Sequence, residues 1–161
     1  MSMRVIMVND QDEPIGYKNY GEIKQQDIYR VAALWITNVQ GDILLAQRKL
    51  TDDRDPGKWG PSVAGTIEEG ETYESNIIKE AEEEIGLKGI KPTKGPKRRK
   101  TGKHNYFCQW YTLVVDETAE IIAQETEVEQ VKWFTREALE RDLHEHPDRY
   151  LTGLKWPLEN L

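Results

Sequence analysis

The chain has 161 residues, enough for one ordinary domain with a real core and too few for two. With 29 acidic against 22 basic residues it carries a net charge of −7, which excludes a general nucleic-acid or membrane-surface binder, since both draw on basic excess. A single cysteine, Cys108, excludes an internal disulfide framework and a cysteine-rich zinc module and fits the reducing cytoplasm.

At the N-terminus the apolar run 5–8 is too short for a signal-peptide core, which needs about 7–15 apolar residues. Nothing approaches the roughly 20 apolar residues of a membrane helix. Residues 3–21 hold two strand-like runs around the turn-rich segment 9–14 and predict a hairpin. The β-branched, apolar stretch 28–39 predicts a buried strand. Gln40-Gly41 turns the chain, and 42–49 returns as a second strand. Residues 50–60, polar and containing Pro56 and Gly57, predict a loop, and 61–66 a short strand. A helix follows over 72–85, with Thr72 as its cap, Ile78, Ala81 and Ile85 along one face, and Gly86 as its stop.

The basic, turn-rich tract 88–104 predicts a loop or exposed strand end. Residues 105–115 predict a central strand and 128–134 another. A second helix covers 135–146 from a Thr135 cap. The tail from 147 predicts a short helix or turn held to the body by Leu151, Leu154 and Trp156. Strands before, between and after two helices predict an α/β class, a mixed β-sheet sandwiched by helices in α/β/α layers. The expected organisation is one domain over 1–161: a hairpin extension at 1–27, a core at 28–145 and a tail at 146–161.

The chemistry points to the acidic helix. At about 100° per residue, Glu80, Glu83 and Glu84 fall within one arc of about 100° beside the apolar face. Such a stripe repels itself, and Glu80 and Glu84, four apart, weaken the helix. A divalent cation removes the repulsion, and hard oxygen donors are what Mg²⁺ or Mn²⁺ accept alongside substrate phosphates. The plainer alternative is a solvated helix face. Gly65 just upstream can bring bare backbone close to a metal or phosphate, and Glu71 lies near the helix start.

Residues 65–87 resemble the Nudix box: Gly65, five residues, Glu71, seven residues, then Lys79, Glu80, Ala81, Glu83, Glu84, Gly86 and Leu87. One position departs, Lys79 standing where the family has arginine. The likeness extends from about residue 30 to 140. It implies a Nudix-type α/β/α sandwich and a Mg²⁺- or Mn²⁺-dependent pyrophosphohydrolase acting on a nucleoside diphosphate linked to another group. Carried over by position, it makes Glu80, Glu83 and Glu84 metal ligands with the Gly65 carbonyl, and lets Glu83 or Glu84 orient the attacking water. Glu71 becomes a structural residue. The family arginine orients a box glutamate. Lysine keeps that charge and loses the planar fork. An acid outside the box often serves as ligand or base. Glu127 is the best match and Glu129 its rival, both expected on one strand face.

The N-terminal hairpin and the strand after it resemble the branch near isopentenyl-diphosphate isomerase. Isomerases of that kind rely on a cysteine in the strand before the box, and here that stretch has Ser62 and no cysteine. A third reading is a non-catalytic nucleotide-binding regulator. Arg48 and Lys49 end a strand near the expected pocket as phosphate contacts. The basic tract between Lys91 and Lys103 is either an electrostatic guide for substrate or a solubilising loop. Trp59 and Tyr106 are base-stacking or core residues. His104, at a strand edge near the basic tract, is within range of a phosphate but is not taken as a site residue, His144 and His146 read as surface, and Cys108 as a buried small hydrophobe. The expected partner is a small-molecule nucleotide or other diphosphate. Neither a membrane nor nucleic acid is expected, and a homodimer is left open.

Overall fold

The computed structural model describes residues 3–161. The expected hairpin is β1 (Arg4–Val8) and β2 (Pro14–Asn19). It is no loose appendage. β1 pairs with the start of β3 (Ile28–Asn38) through Met7 and Val8. Its tip is held by Asp12, which adopts a left-handed φ of 61°. The Asp12 carboxylate accepts from Arg30 Nε at 2.7 Å, Tyr73 Oη at 2.9 Å and Lys97 Nζ at 2.6 Å, tying four segments together.

β3 organises the sheet. Along one edge it runs parallel to β8 (Asn105–Val115), in register from Ile28↔Asn105 to Asn38↔Val115. Its other edge is shared in turn by β1, by β6 (Val63–Thr66) and by β4 (Ile43–Arg48). β4 then carries β5 (Trp59–Pro61) and β9 (Val128–Phe134). Alternation along β3 separates two cores. Ala32, Leu34 and Ile36 face α1 (Tyr73–Ile85) and its Ile77, Ala81 and Ile85. Ala33 and Trp35 face the opposite layer, where α2 (Arg136–Glu145) and α3 (Lys155–Asn160) contribute Leu139 and Leu158, with Tyr150 and Leu154 between them. The layering is α/β/α, as expected. No helix among the described residues is long and apolar enough to cross a membrane.

Three expectations change. The basic tract is a full strand, β7 (Thr93–Lys100), antiparallel to β8 with an irregularity between Lys94 and Lys97. Gly95 and Pro96 sit at that break, where a residue without an N–H does least harm to the ladder. A lysine-rich strand at a sheet edge resists pairing with other chains, so its charge misled a reading that equates charge with loops. Trp59 and Gly60 are strand rather than loop, and Pro61 ends β5 instead of starting β6. Glu127 precedes β9 in a turn, so it does not share a strand face with Glu129.

Candidate active site

α1 begins as its sequence dictates. Thr72 Oγ1 accepts from Ser75 N at 3.0 Å while Ser75 Oγ accepts from Thr72 N at 2.9 Å, a reciprocal cap. Gly86 closes it in the left-handed region, φ 71°. The carbonyls of the last turn are taken up by the following loop: Ile122 N donates to Ile85 O and Gln124 N to Glu84 O, both at 2.9 Å. That docking brings the turn carrying Glu127 alongside Glu84.

The helix lies hard against β6. A Cβ placed on Gly65 would sit 2.6 Å from Asn76 Oδ1 and 2.6 Å from Glu80 Cγ, so only glycine lets the strand backbone come this close. The connecting turn is held from inside. Glu71 accepts from Glu68 N at 3.0 Å and Asn76 Nδ2 at 2.8 Å, and it pairs with Lys79. Lys79 also reaches Glu68 at 2.8 Å and Glu80 at 3.5 Å. Burial alone would raise the Glu71 carboxyl, but these hydrogen bonds outweigh it and hold it below the usual range. Lys79 thus bridges three carboxylates, tying the middle of the helix to the turn that precedes it. Asn76, fully buried, was missed in the sequence because an amide on a helix reads as surface. Its Nδ2 also donates to Thr66 O at 3.1 Å, while its Oδ1 has no partner.

Beyond Lys79, which reaches Glu80 alone of the helix acids Glu80, Glu83 and Glu84, no cation pairs with Glu83 or Glu84 among the described residues. Burial pushes the Glu80 carboxyl up to about 7; Lys79 opposes this and Glu83 adds to it. Glu84 is held well above the carboxylate range by burial first, then by Glu80, with Glu127 and Glu83 adding and a hydrogen bond from the Ala64 backbone opposing. Glu83 is exposed at the rim. Among the described residues no three His, Cys, Asp or Glu side chains converge into a ready coordination sphere. The donor set nevertheless suits a hard divalent cation: crowded carboxylates that resist ionising together, beside a bare glycine backbone.

A cleft of about 660 Å³ opens from this backbone. Ala64, Gly65 and Thr66 form one wall. Tyr20, Tyr29, Tyr106, Arg54, Lys100, Lys103 and His104 form the far end.

The family profile described as NUDIX domain matches residues 28–154. The chain belongs to the Nudix family. Among curated proteins it is 31% identical over 85 residues to an isopentenyl-diphosphate Delta-isomerase of Klebsiella pneumoniae, covering 52% of this chain and 46% of that one. A Salmonella heidelberg protein of the same name is also 31% identical, with 47% of its length covered. The chain thus spans about half the length of the curated relatives it matches. Among solved structures, DR0079 of Deinococcus radiodurans superposes with a TM-score of 0.74 at 24% identity, over 89% of this chain and 90% of that one. A MutT NUDIX hydrolase of Burkholderia pseudomallei gives 0.68 at 20% identity, over 83% and 98%. An Ap4A hydrolase of C. elegans gives 0.57 at 17%, over 74% and 89%. These three likenesses concern the fold.

Within this Nudix domain the box residues Gly65, Glu71, Lys79, Glu80 and Glu84 meet at the α1–β6 contact. The other candidates divide. Arg48 lines the cleft, but its guanidinium is occupied by Arg54 O at 2.7 Å and Asp52 Oδ2 at 2.8 Å. Lys49 turns to Glu129 at 3.4 Å and does not line the cleft. Trp59 packs edge-on against Phe134, ring centroids 5.3 Å apart, and belongs to the core, while Tyr106 lines the cleft. Ser62 is buried with its hydroxyl donated to Leu44 O at 2.5 Å. His144 and His146 are exposed. Cys108 is buried, as expected, and burial pushes its thiol up to about 12. Arg54 and Tyr29 were not singled out in the sequence: one sits in a polar loop and the other in an apolar strand, and no local pattern marks either as facing a cleft.

Proposed function

We propose that the protein is a metal-dependent pyrophosphohydrolase that cleaves a nucleoside diphosphate linked to another group. The observation that carries this reading is the seating of Glu80 against the bare Gly65 backbone, with Glu84 and Glu127 alongside, in a chain that bears the box. Glu80, Glu83 and Glu84, with the Gly65 carbonyl, would hold Mg²⁺ or Mn²⁺. Such a cation, when bound, polarises phosphoryl oxygens and lowers the pKa of coordinated water.

The chain's own residues do the rest. Lys79 fixes Glu71 and, through its contact with Glu80, the orientation of the first ligand. Water adds to one phosphorus of the anhydride, the P–O–P bond breaks, and the departing phosphate takes the bond's electrons. Glu127 is the candidate acceptor of the water's proton. It is neither helical nor tied to a lysine, as Glu129 is. The cleft receives the rest of the substrate, which fits a cytoplasmic small-molecule role.

The isomerase reading has one observation in its favour, the curated relatives at 31% identity. Against it, Ser62 is buried and bonded to backbone, and Cys108, with its thiol held protonated, is poorly suited to moving protons. The test is a panel of nucleoside anhydrides, reading phosphate released with and without a coupling phosphatase, together with isopentenyl diphosphate, reading the allylic diphosphate formed, each with and without Mg²⁺ or Mn²⁺. Hydrolysis that falls by at least about 100-fold in Glu83→Gln at unchanged melting temperature supports the assignment. Activity within about threefold of wild type removes Glu83 from the site.

A further inference from the structure

The far end of the cleft holds more cation than the anhydride chemistry needs. Arg54 is partly buried there, its guanidinium 3.5 Å from His104 Nε2 in a lining it shares with Tyr29 and Tyr20. Among the described residues, no carboxylate oxygen lies within 4.0 Å of Arg54, Lys100 or Lys103. Of the nearby acids, Asp52 pairs with Arg48, while Asp53 and Asp55 line the same cleft, Asp53 exposed and Asp55 4.0 Å from Lys58, so that Arg54, Lys100 and Lys103 outnumber the two carboxylates there. Elsewhere in β7 the basic residues do not line the cleft. Lys97 binds Asp12, while Arg98 and Arg99 stack on Trp156 and Phe107. Lys100 and Lys103 are therefore the part of the basic tract that faces the cleft without a counter-ion. Arg54 is the partly buried member, and a partly buried cation without a counter-ion is costly and is kept where an anion supplies the missing charge; the exposed Lys100 and Lys103 flank it. His104 reports the same excess, held below its ordinary range by burial and by Arg54 and Lys103.

We propose that Arg54, Lys100 and Lys103 form an anion subsite at the far end of the cleft, which receives a phosphate group of the substrate beyond the anhydride that is cleaved. The substrate class is then a phosphoanhydride with additional phosphate, either further along the same chain or as a separate monoester on the attached group. Planar Arg54 supplies a two-point contact and the two lysines supply point charges.

The substrate class rests on the hydrolase reading, but the subsite is tested without turnover. Binding is measured by calorimetry in EDTA, so that the glutamates take no part. One arm compares adenosine 3′,5′-bisphosphate with adenosine monophosphate, and the other compares tripolyphosphate with pyrophosphate. In at least one arm the more highly phosphorylated probe should bind tighter by about tenfold or more, as one added charge-assisted contact implies. The preferred arm identifies the source of the extra phosphate. Arg54→Gln should abolish the preference and Arg54→Lys retain part of it. Should Arg54→Gln not fold, the double variant Lys100→Ala/Lys103→Ala, at two exposed positions, decides in its place. No preference in either arm, or a preference that survives these variants, overturns the subsite. If binding is as expected but no anhydride is hydrolysed with Mg²⁺ or Mn²⁺, the subsite stands and the hydrolase reading falls. If anhydrides are hydrolysed and the preference is absent, the reverse holds.

Discussion

Replacing Lys79 by alanine removes the cation that touches Glu68, Glu71 and Glu80 at one helix turn. The Lys79 side chain is 34% exposed and that of Glu71 17%, so the three contacts are not equal. The pair with Glu68 is partly exposed and screened by water and the one with Glu80 is long at 3.5 Å, so each is worth about 0.2–1 kcal/mol. The enclosed charge-assisted bond to Glu71 contributes about 1.5–3 kcal/mol. Glu71 keeps its bonds from Glu68 N and Asn76 Nδ2, which softens the loss. The total is about 2–4 kcal/mol, or a fall in melting temperature of roughly 5–15 °C for a chain of this size. Turnover should fall several-fold to tens-fold. The share of the loss borne by Glu80 is at most about 1 kcal/mol, which is about fivefold in rate, and a loosened Glu71 turn adds to it. Lys79→Arg should match or exceed wild type. Its gain is small because the three N–H donors of lysine already meet three carboxylates. Thermal melts and hydrolysis of the best substrate in the panel measure both effects. If Lys79→Ala melts within about 1 °C of wild type and turns over equally, the bridge has no energetic weight and Lys79 is a tolerated surface residue.

Gly65→Ala places a methyl against the fully buried Asn76, which cannot swing away without breaking two hydrogen bonds. The cost should be about 1–3 kcal/mol, with turnover reduced at least about tenfold by displacement of Glu80; a stable, active Gly65→Ala protein contradicts the close packing. Because the Glu80 carboxyl is raised from 4.5 to about 7, the folded metal-free protein binds more protons than the unfolded chain between those values. Its stability should fall as pH rises from about 4.5 to about 7, and Glu80→Gln should flatten that slope in melts recorded in EDTA. The depressed Glu71 acts in the opposite sense, its contribution being lost only as pH falls below the ordinary carboxylate range. Millimolar Mg²⁺ or Mn²⁺ should raise the melting temperature more above pH 7 than near pH 5, where protons compete for the same oxygens; an equal shift at both pH values points to binding elsewhere. Glu127→Gln should cost at least about tenfold in turnover and Glu129→Gln less, since Glu129 holds Lys49 and the Leu50 amide; the reverse order exchanges their roles.

Local chemistry was enough to place most elements. Thr72, the Ile77-Ala81-Ile85 face and Gly86 mark a helix wherever they occur, because capping, periodicity and the left-handed stop act within a few residues. The spacing from Gly65 to Glu84 likewise marks the acidic stripe and the glycine it needs. Pairing and contact across the chain were decided only by the tertiary structure. That β7 is a strand depends on β8 offering it a ladder, which outweighs the turn preference of Gly95 and Pro96. That Glu127 comes near enough to Glu84 to act on its charge depends on a loop satisfying the last carbonyls of α1. The cleft needs β3, β6, β8 and the 50–58 loop together, so Arg54 and Tyr29 carried no local mark of it. The partners of Arg48 and Lys49 were invisible for the same reason: a charge in a sequence has no fixed counter-ion until folding brings one within reach.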